Sequence, residues 1–386
     1  MEQFDSIRPY HDNEVAAVLQ RLLADADFLS MITQYRFPTA SRYIDWLLRP
    51  IIAWKLRREI SKVQSVAALQ QRIEAYVERS ISQVTDGISF SGVEHLQAGK
   101  PYLYLANHRD IVMDPAFVNY ALFQANLTTP RIAIGDNLLQ RPFVSDLMRI
   151  NKSFIVHRSL TNRREKLAAF QLLSAYINHS ILNDHESIWI AQAEGRAKDG
   201  DDRTESAILK MFHLSRKDEE FQTVIASLNL TPVAISYEYD PCDIAKAREL
   251  YIRATTGEYK KQIGEDDASI VQGITGYKGR VHVHFCPVLS TGFSDTKQLA
   301  QLVDQNIWRN YRLFPAHYLA WSMWEQRDTS LLVPDINDIF QPQEILSAKQ
   351  HWQRRLESCP AEHRPYLIMQ YATPVENQYR DSSVHA

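Results

Sequence analysis

The sequence predicts an α/β protein: a mixed, mainly parallel sheet flanked by helices, with helical extensions at its N- and C-terminal ends. Short apolar runs at 102–106, 154–156 and 189–191 lie between polar turn residues and have the length of strands buried on both faces. Segments of helical period, such as 115–126 and 162–179, separate them, and strand–helix alternation favours parallel pairing through crossover connections. Outside this core the pattern is helical. Three regions follow: a helical N-terminal region over 1–85, an α/β core over 86–295 and a helical extension over 296–386.

In chain order, Val15, Val18, Leu19, Leu22 and Leu23 set a helical face near the start. Between 41 and 62, Ile44, Leu47, Leu48, Ile51 and Ile52 keep that spacing, and Pro50 is expected to kink the helix or restart it. Arg42, Arg49, Lys55, Arg57, Arg58 and Lys62 outnumber Asp45 and Glu59 there, with Tyr43, Trp46 and Trp54 among them. Such a stripe suits either packing onto a core or lying on an anionic membrane surface. Core strands are expected at 87–91, 101–106, 131–135, 153–157, 187–192, 232–239 and 280–287. Core helices are expected at 115–126, 143–149, 162–179 and 204–213. The alternation of 281–285 suggests a strand with one wet face. The polar stretch 239–280 reads as an excursion or mobile flap. After 290 the chain turns helical again, with Leu299, Leu302, Val303, Ile307 and Trp308 on one face. The run from Asn310 to Trp324 could pack, close the site or touch a membrane, and residues from 376 on are expected to fray.

Composition narrows the function. The 386 residues carry a net charge of -3 with 23% charged residues, which lacks the strongly basic balance of a nucleic-acid-binding protein. Cys242, Cys286 and Cys359 are distant, odd in number and form no CxxC pair, so neither a disulfide framework nor a zinc site is expected. The start of the sequence shows no basic-then-apolar leader pattern, and no stretch has the roughly 18 apolar residues of a membrane span. A cytoplasmic protein, meeting any lipid peripherally on the inner membrane face, is the expectation.

Chemistry-bearing residues gather at four strand ends. The first strand runs into Asn107, His108, Arg109 and Asp110, and a helix then opens around Asp114 and Pro115. Strand ends of α/β sheets face the cleft, which makes His108 a proton-transfer candidate. Either Asp114 or Asp110 could hold its ring. The second run, 154–157, delivers Arg158. The third, 189–193, delivers Glu194, Gly195, Arg196 and Lys198, and the fourth is the proline-led strand from Pro232. Arginine forks and a lysine near a base suit a phosphate-bearing substrate, and Gly195 permits close approach or a positive-φ turn.

These four blocks, in this order over about 86–290, resemble the glycerol-3-phosphate and lysophosphatidic acid acyltransferase superfamily. The resemblance implies transfer of a fatty acyl chain from a CoA or acyl-carrier-protein thioester to a hydroxyl of glycerol-3-phosphate or a lysophospholipid. No cofactor and no metal are implied. His108 would be the general base and Asp114 its orienter, while Asn107, Arg109, Arg158, Glu194, Gly195, Arg196 and Lys198 would bind substrate. Two departures stand out. Five residues rather than four separate His108 from Asp114, which keeps Asp110 open as the partner. The third block lacks a proline before Glu194 and is closer to the glycerol-3-phosphate branch. Two other readings use the same residues: a phosphoester hydrolase with a metal held by His108, Asp110 and Asp114, and a catalytically silent lipid-binding protein of the same fold.

Overall fold

The computed structural model describes residues 2–37, 39, 41–60, 63–262 and 264–384. Its strands are β1 (Ile88–Ser91), β2 (Leu103–Ala106), β3 (Arg131–Gly135), β4 (Ser153–Val156), β5 (Ile188–Ala191), β6 (Leu230–Tyr237) and β7 (Val281–Phe285). The first eight α-helices are α1 (Asp12–Ala24), α2 (Ala26–Arg36), α3 (Ser41–Ile60), α4 (Val66–Val84), α5 (Met113–Gln124), α6 (Pro142–Ile150), α7 (Arg163–Leu182) and α8 (Ser206–His213). The rest are α9 (Phe221–Ser227), α10 (Asp243–Thr256), α11 (Glu265–Thr275), α12 (Thr296–Asn310), α13 (Pro315–Met323), α14 (Ile336–Ile339), α15 (Pro342–Ser358) and α16 (Arg364–Val384). The chain separates into two compact units, Met1–Val77 with Pro130–Tyr176, and Glu78–Thr129 with Ile177–Ala386.

In the first unit, α1 turns Val15, Val18, Leu19 and Leu22 into a core shared with Phe28 of α2 and Phe143 and Ile150 of α6. The Asp25 carboxylate starts α2 by accepting from the amides of Asp27 and Phe28, both at 2.9 Å, which satisfies two donors a helix start leaves orphaned. β3 and β4 pair in parallel, with Ile132 opposite Ser153 and Gly135 opposite Val156. In α3 the break in helical dihedrals falls at Ile44 (φ -131°) rather than at Pro50. Tyr43, Trp46 and Trp54 project outward, at 80%, 72% and 63% exposure. Lys62 and the Arg42 side chain lie outside the described residues.

The second unit holds a five-stranded portion of sheet in the order β1-β7-β6-β2-β5. β2 lies in parallel between β5 and β6, with Leu103 opposite both Ile188 and Leu230, and β1 runs parallel to β7. The β6–β7 pair alone is antiparallel here. β2, β5 and β6 are buried along their whole length, the expected state of strands covered on both faces. The sheet is thus mixed, mainly parallel and flanked by helices.

Three expectations are corrected. β7 has no wet face: His282 is buried, its Nδ1 lies 2.8 Å from Ser89 Oγ and its Nε2 3.0 Å from Ser91 Oγ, while His284 Nδ1 lies 2.8 Å from Ser91 Oγ. Alternation there records pairing with the hydroxyls of β1 rather than solvent. The stretch 239–280 forms α10 and α11, held by buried charges: Asp243 Oδ2 accepts from Arg355 at 2.5 Å and from the Tyr371 hydroxyl at 2.6 Å. Finally, the segment after 376 continues α16, because the Asn377 amide donates to Asp201 Oδ1 at 2.9 Å and Gln378 to the Tyr311 carbonyl at 2.9 Å. Phe314, Tyr318 and Trp321 are buried, and Tyr318 and Trp321 pack with Trp352, Leu367 and Tyr371 into a core of the C-terminal helices.

Candidate active site

At the carboxyl end of β2 the backbone stops pairing and a side chain takes over. The Asn107 amide accepts from Ile235 N at 2.7 Å and donates to Ile235 O at 3.0 Å, so it occupies the next ladder position toward β6 while its own backbone turns away. Asn107 is completely buried. A primary amide presents a donor and an acceptor side by side, as a peptide group does, and this frees residues 108–112 to form a tight turn before α5.

The turn closes around Asp114. Its Oδ2 lies 2.8 Å from His108 Nδ1 and accepts from the amides of Arg109 at 2.6 Å and Asp110 at 2.9 Å. Its Oδ1 accepts from the Tyr237 hydroxyl at 2.6 Å. A fully buried carboxylate needs such satisfaction to persist. Asp110 serves elsewhere in the turn, where its Oδ1 accepts from the amides of Val112 and Met113, both at 2.9 Å, and caps the start of α5. Asp114, not Asp110, therefore holds the His108 ring, and the extra residue of the spacing is absorbed in the turn wrapped around it. Burial, then the Asp114 carboxylate, push Asp110 above the usual carboxylate range.

With Nδ1 directed at a carboxylate, Nε2 of His108 is the nitrogen without a protein partner among the described residues. The ring packs edge-on against Trp189, with centroids 5.9 Å apart. A cavity of about 150 Å³ opens beside it, lined by Gln192, Glu194, Gly195, Arg196 and Asp202 among others. The loop that carries these residues is tied to the turn by the Ala197 amide, which donates to the His108 carbonyl at 2.8 Å. Gly195 has φ +83°, a left-handed conformation that disfavours any residue with a Cβ.

The cations named from sequence have unlike surroundings. Arg109 faces inward, its Nη2 2.5 Å from Asp202 Oδ2 and its guanidinium over the Tyr311 ring. Burial opposes its charge, but Asp202, Tyr311 and Asp240 overcome this and raise its pKa. Arg109 is thus a corrected assignment: its fork is committed to a buried ion pair rather than turned toward the cavity. Lys198 donates to Glu249 of α10 at 2.9 Å, a carboxylate shared with Arg253 at 2.7 Å, so it too has a partner within the protein. Burial lowers its pKa against the pull of Glu249. Arg196 lines the cavity and has no hydrogen bond or ion pair among the described residues. Glu194 is exposed beside it. Arg158 belongs to the first unit, beyond β4; its amide donates to Asp136 Oδ1 at 3.0 Å, and its exposed side chain runs past Gly135.

Helices α12 and α16 anchor the far end of the cavity loop. The Trp308 indole donates to the Asp201 carbonyl at 2.8 Å, and Asp304 Oδ1 accepts from the Thr204 amide at 2.8 Å. Gly200 (φ +82°) lies so close to α16 that a Cβ would sit 2.3 Å from the Gln370 carbonyl oxygen. Burial pushes Asp304 up to about 6, despite its hydrogen bonds to Thr204. In the unfolded chain the group would ionise near the ordinary aspartate value of 3.8. Between these values the folded state holds the extra proton, so the Asp304 contribution to stability falls as pH rises from about 4 to about 6. Asp304→Asn, which keeps an acceptor for Thr204, is expected to gain in melting temperature over the native chain at pH 7 relative to pH 4. An unchanged difference between the two pH values would assign the Asp304 proton elsewhere.

Tyr237, Asp202 and Lys246 were not singled out by the sequence. Lys246 is buried and donates to the Arg109 carbonyl at 2.8 Å and to Asp240 Oδ2 at 2.5 Å, which clamps the turn from α10. A tyrosine ending a buried strand and an Asp-Gly-Asp-Asp run after the third block were the available signals, since a buried phenol needs a hydrogen-bond partner.

Residues 87–234 match the Acyltransferase family model. This stretch, less than half of the chain, is similar to that family, and it carries the His108 turn, the cavity loop and most of β6. The glycerol-3-phosphate acyltransferase of Pseudomonas putida (strain W619) is 24% identical over 247 residues, covering 62% of this chain and 27% of the relative. That of Ectopseudomonas mendocina (strain ymp) is 26% identical over 247 residues, with the same coverage. The matched part of this chain thus spans about a quarter of the length of these curated relatives. A crystal structure of the 1-acyl-sn-glycerophosphate (LPA) acyltransferase from Thermotoga maritima aligns with a TM-score of 0.38 and 15% identity, covering 72% of this chain and 91% of that one.

Proposed function

We propose that the chain transfers a fatty acyl group from a CoA or acyl-carrier-protein thioester to a hydroxyl of glycerol-3-phosphate or of a lysophospholipid. The observation that carries this reading is the His108–Asp114 pair at a strand end, with Nε2 unpartnered beside a cavity that Arg196 also lines. His108 Nε2 takes the proton of the acceptor hydroxyl as its oxygen attacks the thioester carbonyl, and Asp114 stabilises the imidazolium. The C–S bond then breaks, and the thiolate leaves with that proton. Arg196 supplies the fork for the acceptor phosphate. Glycerol-3-phosphate is favoured as acceptor, because the curated relatives are named for it.

A metal-dependent hydrolase fits these residues poorly. Asp110 Oδ1 is bound to two backbone amides, and among the described residues no three His, Cys, Asp or Glu side chains cluster to hold an ion. The deciding assay supplies an acyl thioester with glycerol-3-phosphate and lysophosphatidic acid in parallel and separates the lipid products. Thioester binding without product from either acceptor sinks the enzyme reading in favour of a silent lipid-binding protein.

We also propose that the outward face of α3 rests on an anionic bilayer. No helix among the described residues is long and apolar enough to cross a membrane. Tyr43, Trp46 and Trp54 are nevertheless exposed beside Lys55, Arg57 and Arg58, the composition of an interfacial helix. Because burying one large apolar side chain is worth about 1.5–3 kcal/mol, Trp46→Ser with Trp54→Ser is expected to weaken sedimentation with phosphatidylglycerol vesicles at least about tenfold. Equal sedimentation of the native chain with neutral and anionic vesicles would contradict it.

A further inference from the structure

We propose that Tyr237 is a positioning residue for the reaction: through Asp114 it sets the basicity of His108. This rests on the general-base reading above, and nothing in the four recognised blocks assigns it. The Tyr237 hydroxyl donates to Asp114 Oδ1 at 2.6 Å, while Oδ2 of the same carboxylate meets His108 Nδ1 at 2.8 Å. The three groups form one chain of hydrogen bonds across β6, α5 and the turn after β2.

The chain is rigid. Tyr237 is 3% exposed, and its ring stands edge-on to Phe117 of α5, with centroids 5.6 Å apart. Burial, then the Asp114 and Asp110 carboxylates, raise the phenol well above its ordinary value, so it stays protonated and acts as a donor. The charged groups around this triad are Asp110 and Arg109 in the turn, Asp240 after β6, Lys246 on α10 and Lys278 before β7, with Glu194, Arg196, Asp199, Asp201, Asp202 and Arg203 lining the cavity beside His108. Lys278 is completely buried, and its ammonium donates to the Gly276 carbonyl at 2.8 Å.

A phenol that donates to one carboxylate oxygen withdraws negative charge from the other. Asp114 then attracts the imidazolium less strongly than a carboxylate without that donor would. Without the phenol the full charge falls on Oδ2, the imidazolium is favoured, and Oδ1 is left buried without a donor. The hydroxyl also fixes the Asp114 plane, and with it the ring. Networks of this kind are best apportioned by changing one link at a time.

The test uses the full chain with Tyr237→Phe and, as a variant of unchanged shape, 3-fluorotyrosine inserted at 237, a more acidic phenol and stronger donor. Two readouts are followed. The acid limb of the kcat/KM–pH profile should move to higher pH in Tyr237→Phe and to lower pH with fluorotyrosine, while KM for the acceptor stays at the native value. The NMR titration of the His108 ring should move in the same two directions, and it requires no turnover, so it decides the proposal even if the chain transfers no acyl group. If Tyr237→Phe only lowers melting temperature, and neither variant moves the His108 titration, Tyr237 is a packing residue and the proposal is overturned.

Discussion

Replacing His108 with alanine is expected to lower acyl transfer by about 10²–10⁴-fold, the usual worth of a positioned general base. Folding should be retained, because Asp114 keeps two backbone amides and the Tyr237 hydroxyl as donors after the imidazole is gone. Asp114→Asn should fall into the same activity range, since an amide facing Nδ1 favours the tautomer that leaves no lone pair on Nε2. Asp110→Asn should retain native-like transfer: the asparagine oxygen can still accept from the Val112 and Met113 amides. Product formation is read with the acceptor that the native chain uses, alongside thermal unfolding of each variant. Full activity in His108→Ala would remove the general base from the mechanism, whereas loss in Asp110→Asn with a native melting temperature would move the orienting role from Asp114 to Asp110.

Asp202→Ala is expected to destabilise the second unit by about 3–5 kcal/mol, the range for removing one partner of a buried ion pair. Arg109 would keep its charge, with side-chain exposure of 8% and no other carboxylate within ion-pair distance among the described residues. Its Nε already lacks a hydrogen-bond partner, so little reserve exists to absorb the loss. The Asn107 amide would also lose Asp202 Oδ2, 3.3 Å away. Urea unfolding gives the number directly. The double variant Arg109→Met with Asp202→Leu should recover most of it, because apolar side chains of similar volume often replace buried pairs without loss. The double variant also tests Arg109 as a substrate ligand: unchanged KM for the phosphate-bearing acceptor would confine Arg109 to the interior, and a large rise in KM would restore it to the binding site.

Much of the core was readable because its strands are buried on both faces. A run such as Ile188–Ala191 admits few other interpretations when its neighbours are polar, and β3 begins and ends at the residues expected. The turn at His108 was readable for the same reason, as polar residues ending an apolar strand. Charges inside the protein were not. Lys246, Asp240 and Asp243 look like a solvated polar stretch; Lys246 and Asp240 pair locally, and their burial depends further on Arg109, Arg355 and Tyr371. Those partners are more than a hundred residues away in sequence, beyond any local pattern. His282 and His284 misled for a related reason: polar side chains satisfied across β1 and β7 give the same alternation as polar side chains in water. Arg109 and Lys198 share the charge type of Arg196, and their separation depends on Asp202 and Glu249, whose positions only the fold supplies.

The anchoring of Asp201 by Asn377 joins residues 176 positions apart. On a translating ribosome, at ~5–20 residues per second, that separation corresponds to roughly 9–35 s. During this interval β2, β5 and the cavity loop have been synthesised, but Asn377 has not, and Gln370 is not yet seated against Gly200. A nascent chain in that state holds Arg196 on a loop that can have its α12 contacts but lacks those of α16. The α16 contacts of the cavity loop are thus made late in synthesis, and a message that stops short of codon 377 yields a polypeptide bearing every recognisable sequence block but lacking the Asn377 clasp on Asp201.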